Sequence, residues 1–272
     1  MTGVQTCALP ICWFENFEIK PGAGTTESGK YAWISLKKAC EDLKEGKIQA
    51  LVTGPISKDK MPKEEFNSPG HTEFLAKFFE AKETLMFLVN DQIRVGLVTA
   101  HIPLKDVSLK ITKSGIESKL RVMEHSLIHD FGITKPRIAV LGLNPHAGEN
   151  GLLGVEEENI ISPVIKDFKE HGKLVFGPFP ADGFFGSGQF AQFDATLAMY
   201  HDQGLVGFKT IAFGTGVNFT AGLGPIRTSP DHGTAYSIAG KNSADESSIR
   251  EAMLMVCDIV RRRHSQVENQ PS

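Results

Sequence analysis

The sequence contains few of the residues that mark specialised protein classes. Among 272 residues there are four cysteines, two tryptophans and three tyrosines. The cysteines are Cys7, Cys12, Cys40 and Cys257. Their scattered spacing disfavours a zinc ribbon or a disulfide framework and fits a reducing compartment, so we predict a cytoplasmic protein. No apolar run approaches the roughly 18–20 residues of a membrane helix. With 29 Lys+Arg against 32 Asp+Glu, the net charge of −3 also disfavours a nucleic-acid or membrane-surface partner.

The composition is that of a globular protein, with 41% hydrophobic and 22% charged residues. Apolar residues at helical spacing alternate along the chain with short apolar runs typical of buried strands. The predicted strands are 48–55, 84–90, 93–100, 137–144, 174–176 and 195–200, and the predicted helices lie near 28–46, 116–131, 156–171 and 249–260. This alternation predicts an α/β fold with a largely parallel sheet, in which 84–90 and 93–100 could pair as a hairpin.

The first twelve residues, MTGVQTCALPIC, differ from the rest of the chain. They carry no charge and resemble a translated sequencing-adapter fragment. We expect them to be foreign, with the natural chain entering near Trp13; a weakly ordered natural leader is the alternative. The segment lacks the basic start of a secretory signal.

Three histidines each follow a predicted strand closely. His101, His146 and His201 come after VGLVTA, IAVLGLNP and ATLAMY. If these strands are parallel neighbours, the imidazoles meet at one edge of the sheet and could form an open metal site. Asp202 could then fix the tautomer of one ring. The alternative is three unrelated polar residues where strands emerge into water.

Two other patterns in the sequence have simpler explanations. His125 and His129 lie four residues apart, but the HExxH pattern is absent and a solvated helix face is favoured. GSGQFA at 186–191 fits a dinucleotide fingerprint, yet it follows GFF instead of a strand. We interpret it as a chance match.

Two segments could bind an anion. In PGHTEF, His71 and Thr72 precede an apolar helical stretch, where free backbone N–H groups could hold a phosphate; the alternative is that Thr72 simply caps the helix. Further along, Lys209, Asn218 and Arg227 lie in a glycine-rich stretch that suits a phosphorylated or carboxylated small molecule. The alternative there is surface charge on a long loop.

Nine motifs, in order from about residue 20 to residue 263, resemble the 4-hydroxythreonine-4-phosphate dehydrogenase family of pyridoxal phosphate biosynthesis. They are LVTGPISK, PGHTEF, TAHIPL, LNPHAGENG, LGVEE, FPADGFF, AMYHDQG, GVNFTAGL and RTSPDHGTA. LNPHAGE and MYHDQG are highly specific to that family. The glycine-rich TPGDPAGIGPE-like segment that opens family members is absent, so the resemblance is to a chain truncated at its amino terminus.

The resemblance implies roles for ten residues. The metal ligands are His101, His146 and His201; the substrate-binding residues are His71, Thr72, Asp182, Lys209, Asn218 and Arg227; and Asp202 and Lys209 are the candidates for proton transfer. It also implies a homodimer with a shared active site, in which the partner subunit completes each metal site and His201 crosses the interface. The three metal positions coincide with the strand-end histidines found above.

The resemblance further implies two α/β/α domains around a cleft, similar to isocitrate and isopropylmalate dehydrogenases. We expect the first domain to comprise 13–66 and 240–272, and the second, with the metal and substrate residues, 67–239. The implied reaction uses NAD or NADP and a divalent metal such as Zn, Mg or Co. It oxidises 4-phosphohydroxy-L-threonine at C3, and decarboxylation then yields 3-amino-1-hydroxyacetone phosphate.

Two alternatives remain open. A paralogue would oxidise four-carbon sugar-acid phosphates such as threonate or erythronate 4-phosphate, with the same metal and phosphate residues. A truncated, inactive fragment would bind metal or phosphate without catalysis.

Overall fold

A computed structural model describes residues 20–268 of the chain, apart from the side chain of Val267. Within that range the strands are β1 (Ala50–Val52), β2 (Leu85–Val89), β3 (Arg94–Leu97), β4 (Ile138–Leu141), β5 (Val175–Phe179), β6 (Ala195–Ala198), β7 (Val217–Ala221) and β8 (Ile226–Pro230). The helices in the same range are α1 (Thr26–Lys44), α2 (His71–Phe78), α3 (Val107–Lys110), α4 (Lys113–His129), α5 (Ser162–Glu170), α6 (Ala181–Gly186), α7 (His201–Ala212) and α8 (Ser247–Glu268). The expected α/β class is confirmed.

The described strands join one sheet in the order β1-β8-β7-β2-β3-β6-β4-β5. Helices cover both faces of it. Along β2, Leu85 and Phe87 contact the core beneath α4, α5 and α8, while Leu88 contacts the core beneath α6 and α7. This two-residue alternation is what a strand buried on both faces requires. A third cluster, which includes Trp33 of α1 and Phe74 of α2, packs beside β1.

The sheet is less parallel than the sequence predicts. The pairs β1·β8, β3·β6, β4·β6 and β4·β5 are parallel, but β7·β8, β2·β7 and β2·β3 are antiparallel. The expected hairpin of β2 and β3 is confirmed. The alternative of surface charge on a long loop is wrong for the glycine-rich stretch, because its residues belong largely to the end of α7 and the hairpin of β7 and β8. Gly222, with φ +78, turns this hairpin where a Cβ would come within 2.4 Å of the Glu83 carbonyl oxygen.

The predicted helix over 156–171 contains Pro163, and the structure shows how the proline is accommodated. A single π-helical turn, Glu157–Ile161, precedes α5, and Pro163 lies in the first turn of α5. Proline is tolerated there because the first N–H groups of an α-helix have no intrahelical acceptor.

The proposed division into 13–66 with 240–272 and 67–239 stays a prediction. Strands from both proposed parts meet in the same sheet, since β1 pairs with β8. The first twelve residues lie outside the described residues. Between residues 20 and 268 no helix combines the length and the apolar character needed to cross a bilayer. Of the cysteines, Cys40 and Cys257 fall in this range and are free.

Candidate functional site

The three strand-end histidines follow neighbouring parallel strands, as predicted. His101 follows β3, His201 follows β6 and begins α7, and His146 follows β4. Because β6 lies between β3 and β4 and all three are parallel, their carboxyl ends share one edge of the sheet.

Two of these imidazoles lie together. The ring centroids of His101 and His201 are 5.8 Å apart. Nδ1 of His101 is 3.4 Å from Glu73 Oε1, and Nδ1 of His201 is 2.6 Å from Asp202 Oδ1. A carboxylate on Nδ1 fixes the ring and leaves Nε2 for a ligand, which is the arrangement usual around metal-bound histidine. The expected orienting role of Asp202 therefore has a contact in the structure.

His146 lies in a tight loop of left-handed residues. Its φ is +53, and Ala147, Glu149 and Asn150 also have positive φ. The buried carboxylate of Glu157 holds the base of this loop: Oε1 accepts from the backbone N–H groups of residues 143 and 144 at 2.6 and 2.7 Å, and Oε2 accepts from the side-chain amide of residue 144 at 2.9 Å. These charge-assisted hydrogen bonds hold an otherwise strained backbone in one conformation.

A complete metal site does not form among the described residues of one chain. Over residues 20–268, no group of three or more His, Cys, Asp or Glu side chains is arranged to hold an ion. His101 and His201 provide two neighbouring imidazoles, so the donor chemistry fits a divalent cation while the ligand count needs a further donor. The metal ligands therefore remain a prediction.

A cavity of about 320 Å³ lies beside this pair of histidines. Its lining includes six of the residues predicted from the sequence: His71, Thr72, His101, Lys209, Asn218 and Arg227. They come from α2, the loop after β3, α7, β7 and β8, which are far apart in the chain. The fold thus brings the two candidate anion-binding segments into one cavity.

Arg227 is the most informative residue in the cavity. It lies on β8 and is 2% exposed. Its Nε and Nη2 donate to Thr53 Oγ1 at 3.1 and 2.6 Å, and Nη1 donates to Thr220 Oγ1 at 3.2 Å. Within the described chain it forms no salt bridge with a carboxylate. Burial lowers the pKa of Arg227 to about 10, so it stays cationic at neutral pH. A buried cation with only hydroxyl partners is costly unless an anion completes it.

The helix α2 contributes its first turn to the cavity. Gly70 is the N-cap, and no side chain caps the helix there. The alternative that Thr72 simply caps the helix is therefore wrong, because Thr72 lies inside the first turn, where it lines the cavity. Burial and the positive charge of Arg227 lower the pKa of His71 to about 3, so this imidazole is neutral.

Asn218 and Lys209 also line this cavity. Asn218 Oδ1 is buried and has no hydrogen-bond partner in the part of the chain that the structure describes. Lys209 Nζ lies 3.5 Å from Asp231 Oδ1, and burial raises the pKa of Asp231. An unsatisfied amide oxygen in a polar cavity is suited to a ligand donor.

Two predicted residues line a different cavity. Asp182 and Asp202 face a space of about 520 Å³ between α6 and α7. The structure therefore does not bring them into the cavity of Arg227 within one chain. Conversely, sequence reasoning missed Lys58, Glu73 and Asp231, which line the cavity of Arg227. All three lie within quoted motifs (LVTGPISK, PGHTEF and RTSPDHGTA), which was the available signal.

The simpler interpretations of the other two patterns agree with the structure. His125 and His129 are exposed on α4 with ring centroids 4.3 Å apart, and His129 Nδ1 lies 3.0 Å from Gln266 Oε1. GSGQFA runs from the end of α6 into a short 3-10 turn and does not follow a strand.

Comparison with known proteins identifies close relatives. Residues 3–256 match the family model described as pyridoxal phosphate biosynthetic protein PdxA. This range begins inside the segment that the sequence analysis set aside. The chain is 47% identical over 262 residues to 4-hydroxythreonine-4-phosphate dehydrogenase of Bacteroides thetaiotaomicron, covering 96% of this chain and 72% of the relative.

Solved structures of enzymes with the same name are similar to this chain in fold. A 4-hydroxythreonine-4-phosphate dehydrogenase from Klebsiella pneumoniae matches with a TM-score of 0.77 and 36% identity, over 89% of this chain and 74% of that one. The enzyme of the same name from Burkholderia phymatum matches with a TM-score of 0.71 and 41% identity, over 88% and 72%. The likeness thus covers sequence and fold together.

Proposed function

Because the chain belongs to the PdxA family, whose relatives are 4-hydroxythreonine-4-phosphate dehydrogenases, we propose that it oxidises 4-phosphohydroxy-L-threonine at C3 and decarboxylates the product. Family membership makes the chain an oxidoreductase and implies a nucleotide cofactor and a divalent metal in general. The finer statements are the proposal: NAD or NADP as acceptor, Zn, Mg or Co as the ion, and 3-amino-1-hydroxyacetone phosphate as product.

The observation that carries this proposal is the buried guanidinium of Arg227, which forms no salt bridge among the described residues although the charge of Glu73 acts on it. Three of its five N–H donors are used by Thr53 and Thr220, which leaves donors and a full charge for a phosphate. Lys209, Thr72 and the free N–H groups at the start of α2 line the same cavity and would bind further phosphate oxygens. Binding energy from this remote group would position the reacting carbon.

His101 and His201 would hold the divalent ion, with His146 as the third ligand. A bound divalent cation would supply polarisation of the substrate hydroxyl and stabilisation of the enolate. Glu73 and Asp202 hold the two rings by their Nδ1 atoms, so the Nε2 atoms are the ligating ones. The partner subunit of a homodimer would complete the site, because one chain does not assemble three ligands between residues 20 and 268.

The nucleotide would bind in a second cavity of about 870 Å³. This cavity shares Pro55, Ile56, His232 and Gly233 with the substrate cavity, so a bound nucleotide could reach the reacting carbon. Its size fits a ligand much larger than the four-carbon substrate.

In the proposed reaction a hydride leaves C3 for NAD(P)⁺ and the hydroxyl proton passes to a base. The resulting β-keto acid loses CO2, and the electron pair of the broken bond forms an enolate that is then protonated. Of the two proton-transfer candidates, Lys209 lies in the substrate cavity beside Asp231, whereas Asp202 lies in another cavity and is bonded to His201. This placement favours Lys209 for proton transfer and Asp202 for orienting His201. A cytoplasmic location completes the proposal.

The direct test is NADH or NADPH formation with 4-phosphohydroxy-L-threonine and each of the three divalent ions. We expect turnover, with release of CO2 in equal amount. Turnover with threonate or erythronate 4-phosphate but not with the amino acid would instead identify the paralogue activity. No turnover with any of these compounds would leave a non-catalytic binding protein.

A further inference from the structure

A cation that the sequence analysis did not identify lies at the mouth of the substrate cavity. Lys58 is exposed and lines the same cavity as Arg227. Among the described residues it forms no ion pair, in contrast to Lys60 two positions on, whose Nζ lies 3.0 Å from Asp59 Oδ2. An unpaired ammonium beside a ligand cavity is available to an anion.

The position of Lys58 is defined by α2. A Cβ built on Gly70 would lie 3.4 Å from Lys58 Nζ, so the ammonium lies over the uncapped N-terminus of this helix. Burial is the main cause of the lowered pKa of His71, and the hydrogen bond with His101 is the main cause of the lowered pKa of Glu73. The charge of Lys58 contributes to both shifts. Lys58 therefore lies near both His71 and the Glu73–His101 pair.

The different exposure of the two cations in this cavity suggests what Lys58 binds. His71 also feels the charge of Arg227, so it lies near both cations, and all three residues line the same cavity. Arg227 is almost fully buried and provides the planar fork that suits a phosphate, whereas Lys58 is exposed and provides a single point charge. A substrate with a phosphate at one end and a carboxylate at the other would match this pair of cations.

We propose that Lys58 is a further substrate-binding residue, which pairs with the carboxylate and so selects molecules that carry two anionic groups. The inference rests on the proposed function, because it takes the phosphate site at Arg227 as given. The inference adds one substrate-binding residue to the proposed site and gives a basis for specificity. A phosphate ester without a carboxylate would leave Lys58 without an anionic partner.

Two small probes that differ in one group test this. O-phosphoserine and phosphoethanolamine share the phosphate, the amine and the connecting chain, and only phosphoserine has a carboxylate. We expect the intact protein to bind phosphoserine about tenfold more tightly, the strength of one charge-assisted hydrogen bond, in calorimetric titrations. Lys58→Met should abolish that difference and leave phosphoethanolamine binding unchanged, whereas the matched variant Lys60→Met should preserve it.

The outcomes separate the two proposals. If Lys58→Met weakens both probes equally, or neither, Lys58 does not read the carboxylate and the inference is wrong. If neither probe binds the unaltered protein, or if Arg227→Met leaves phosphoethanolamine binding intact, the phosphate site itself is wrong. Lys58→Arg keeps the charge, so restored discrimination in that variant would support a direct electrostatic contact.

Discussion

The two halves of the sheet present functional residues in different ways. In the parallel half, β3, β6 and β4 end before their histidines, which lie on loops or at a helix start and are exposed or half-buried. In the antiparallel half, Asn218 and Arg227 lie inside β7 and β8. In the parallel half the strands therefore only position the loops that carry the site residues. In the antiparallel half the site residues belong to the strands themselves.

This difference separates function from stability. A loop histidine can be replaced without disturbing the core, because few of its contacts are structural. The buried Arg227 bonds to Thr53, just after β1, and to Thr220 on β7, so its replacement changes both binding and folding. Four variants test this contrast, from the largest expected effect to the smallest.

In the parallel half, His146→Ala should reduce dehydrogenase activity by about 1000-fold, since a metal ion contributes several kcal/mol to catalysis. Elemental analysis should show less bound divalent ion per chain. The free energy of unfolding should change by less than about 0.5 kcal/mol, as for other exposed sites. His171→Ala, another exposed histidine, should change none of the three. Unchanged metal content in His146→Ala would contradict the proposed ligand set.

In the antiparallel half, Arg227→Met should weaken phosphoethanolamine binding by about 100-fold, through loss of two charge-assisted hydrogen bonds. Unlike His146→Ala, it should also change the urea midpoint, because the hydroxyls of Thr53 and Thr220 lose their partner. Arg250→Met, which alters an exposed arginine paired with Glu246, is the control. Equal binding by Arg227→Met and the control would place the phosphate elsewhere.

The parallel half also contains a buried charged residue, Glu157, as the antiparallel half contains Arg227. The Glu157 carboxylate holds the base of the His146 loop. Glu157→Gln places an amide N–H where the carboxylate accepts three hydrogen bonds, so it should cost about 2–3 kcal/mol in urea unfolding. Glu158→Gln, at the exposed neighbouring position, should cost almost nothing. Identical stability of the two variants would show that the loop does not depend on this carboxylate.

The smallest expected effect is that of His71→Asn, which changes how the free energy of unfolding depends on pH. The pKa of His71 falls from an ordinary 6.5 to about 3 on folding. As pH falls below 6.5 the unfolded chain binds a proton that the folded chain rejects, so stability present above that pH is lost toward pH 3. Between pH 7 and 5 the intact protein should lose about 1–2 kcal/mol more than His71→Asn. Parallel losses in the two proteins would show that His71 titrates normally when folded; His129→Asn should behave as the intact protein.

The same contrast explains what could be predicted from the sequence. Apolar runs followed by histidine located β3, β4 and β6, because parallel strands share one carboxyl edge and the polar residue marks where each strand ends. The hairpin of β7 and β8 was missed because its glycines resemble a loop and because Asn218 and Arg227 interrupt the apolar pattern. A buried charged residue has no signature in hydrophobic periodicity, since its burial depends on partners elsewhere in the chain.

The cavity itself depends on pairings that the sequence does not specify. Lys58, Glu73 and Asp231 come from separate segments, and their meeting follows from how β1 pairs with β8 and where α2 packs. The resemblance located six of the lining residues. Lys58, Glu73 and Asp231 also lie within the quoted motifs, but their place in the cavity needed coordinates. Asp182 and Asp202 show the converse: their motifs match the family, yet within one chain they face another cavity.

The guanidinium of Arg227 joins β8 to a threonine just after β1 on one side and to a threonine of β7 on the other. An anion bound to this guanidinium would therefore bind only when these three segments are in place. Its binding free energy would add to the thermal stability of the folded protein. The melting temperature should therefore climb with the concentration of any phosphate ester the cavity accepts, which makes a thermal-shift titration a simple screen for its natural ligand.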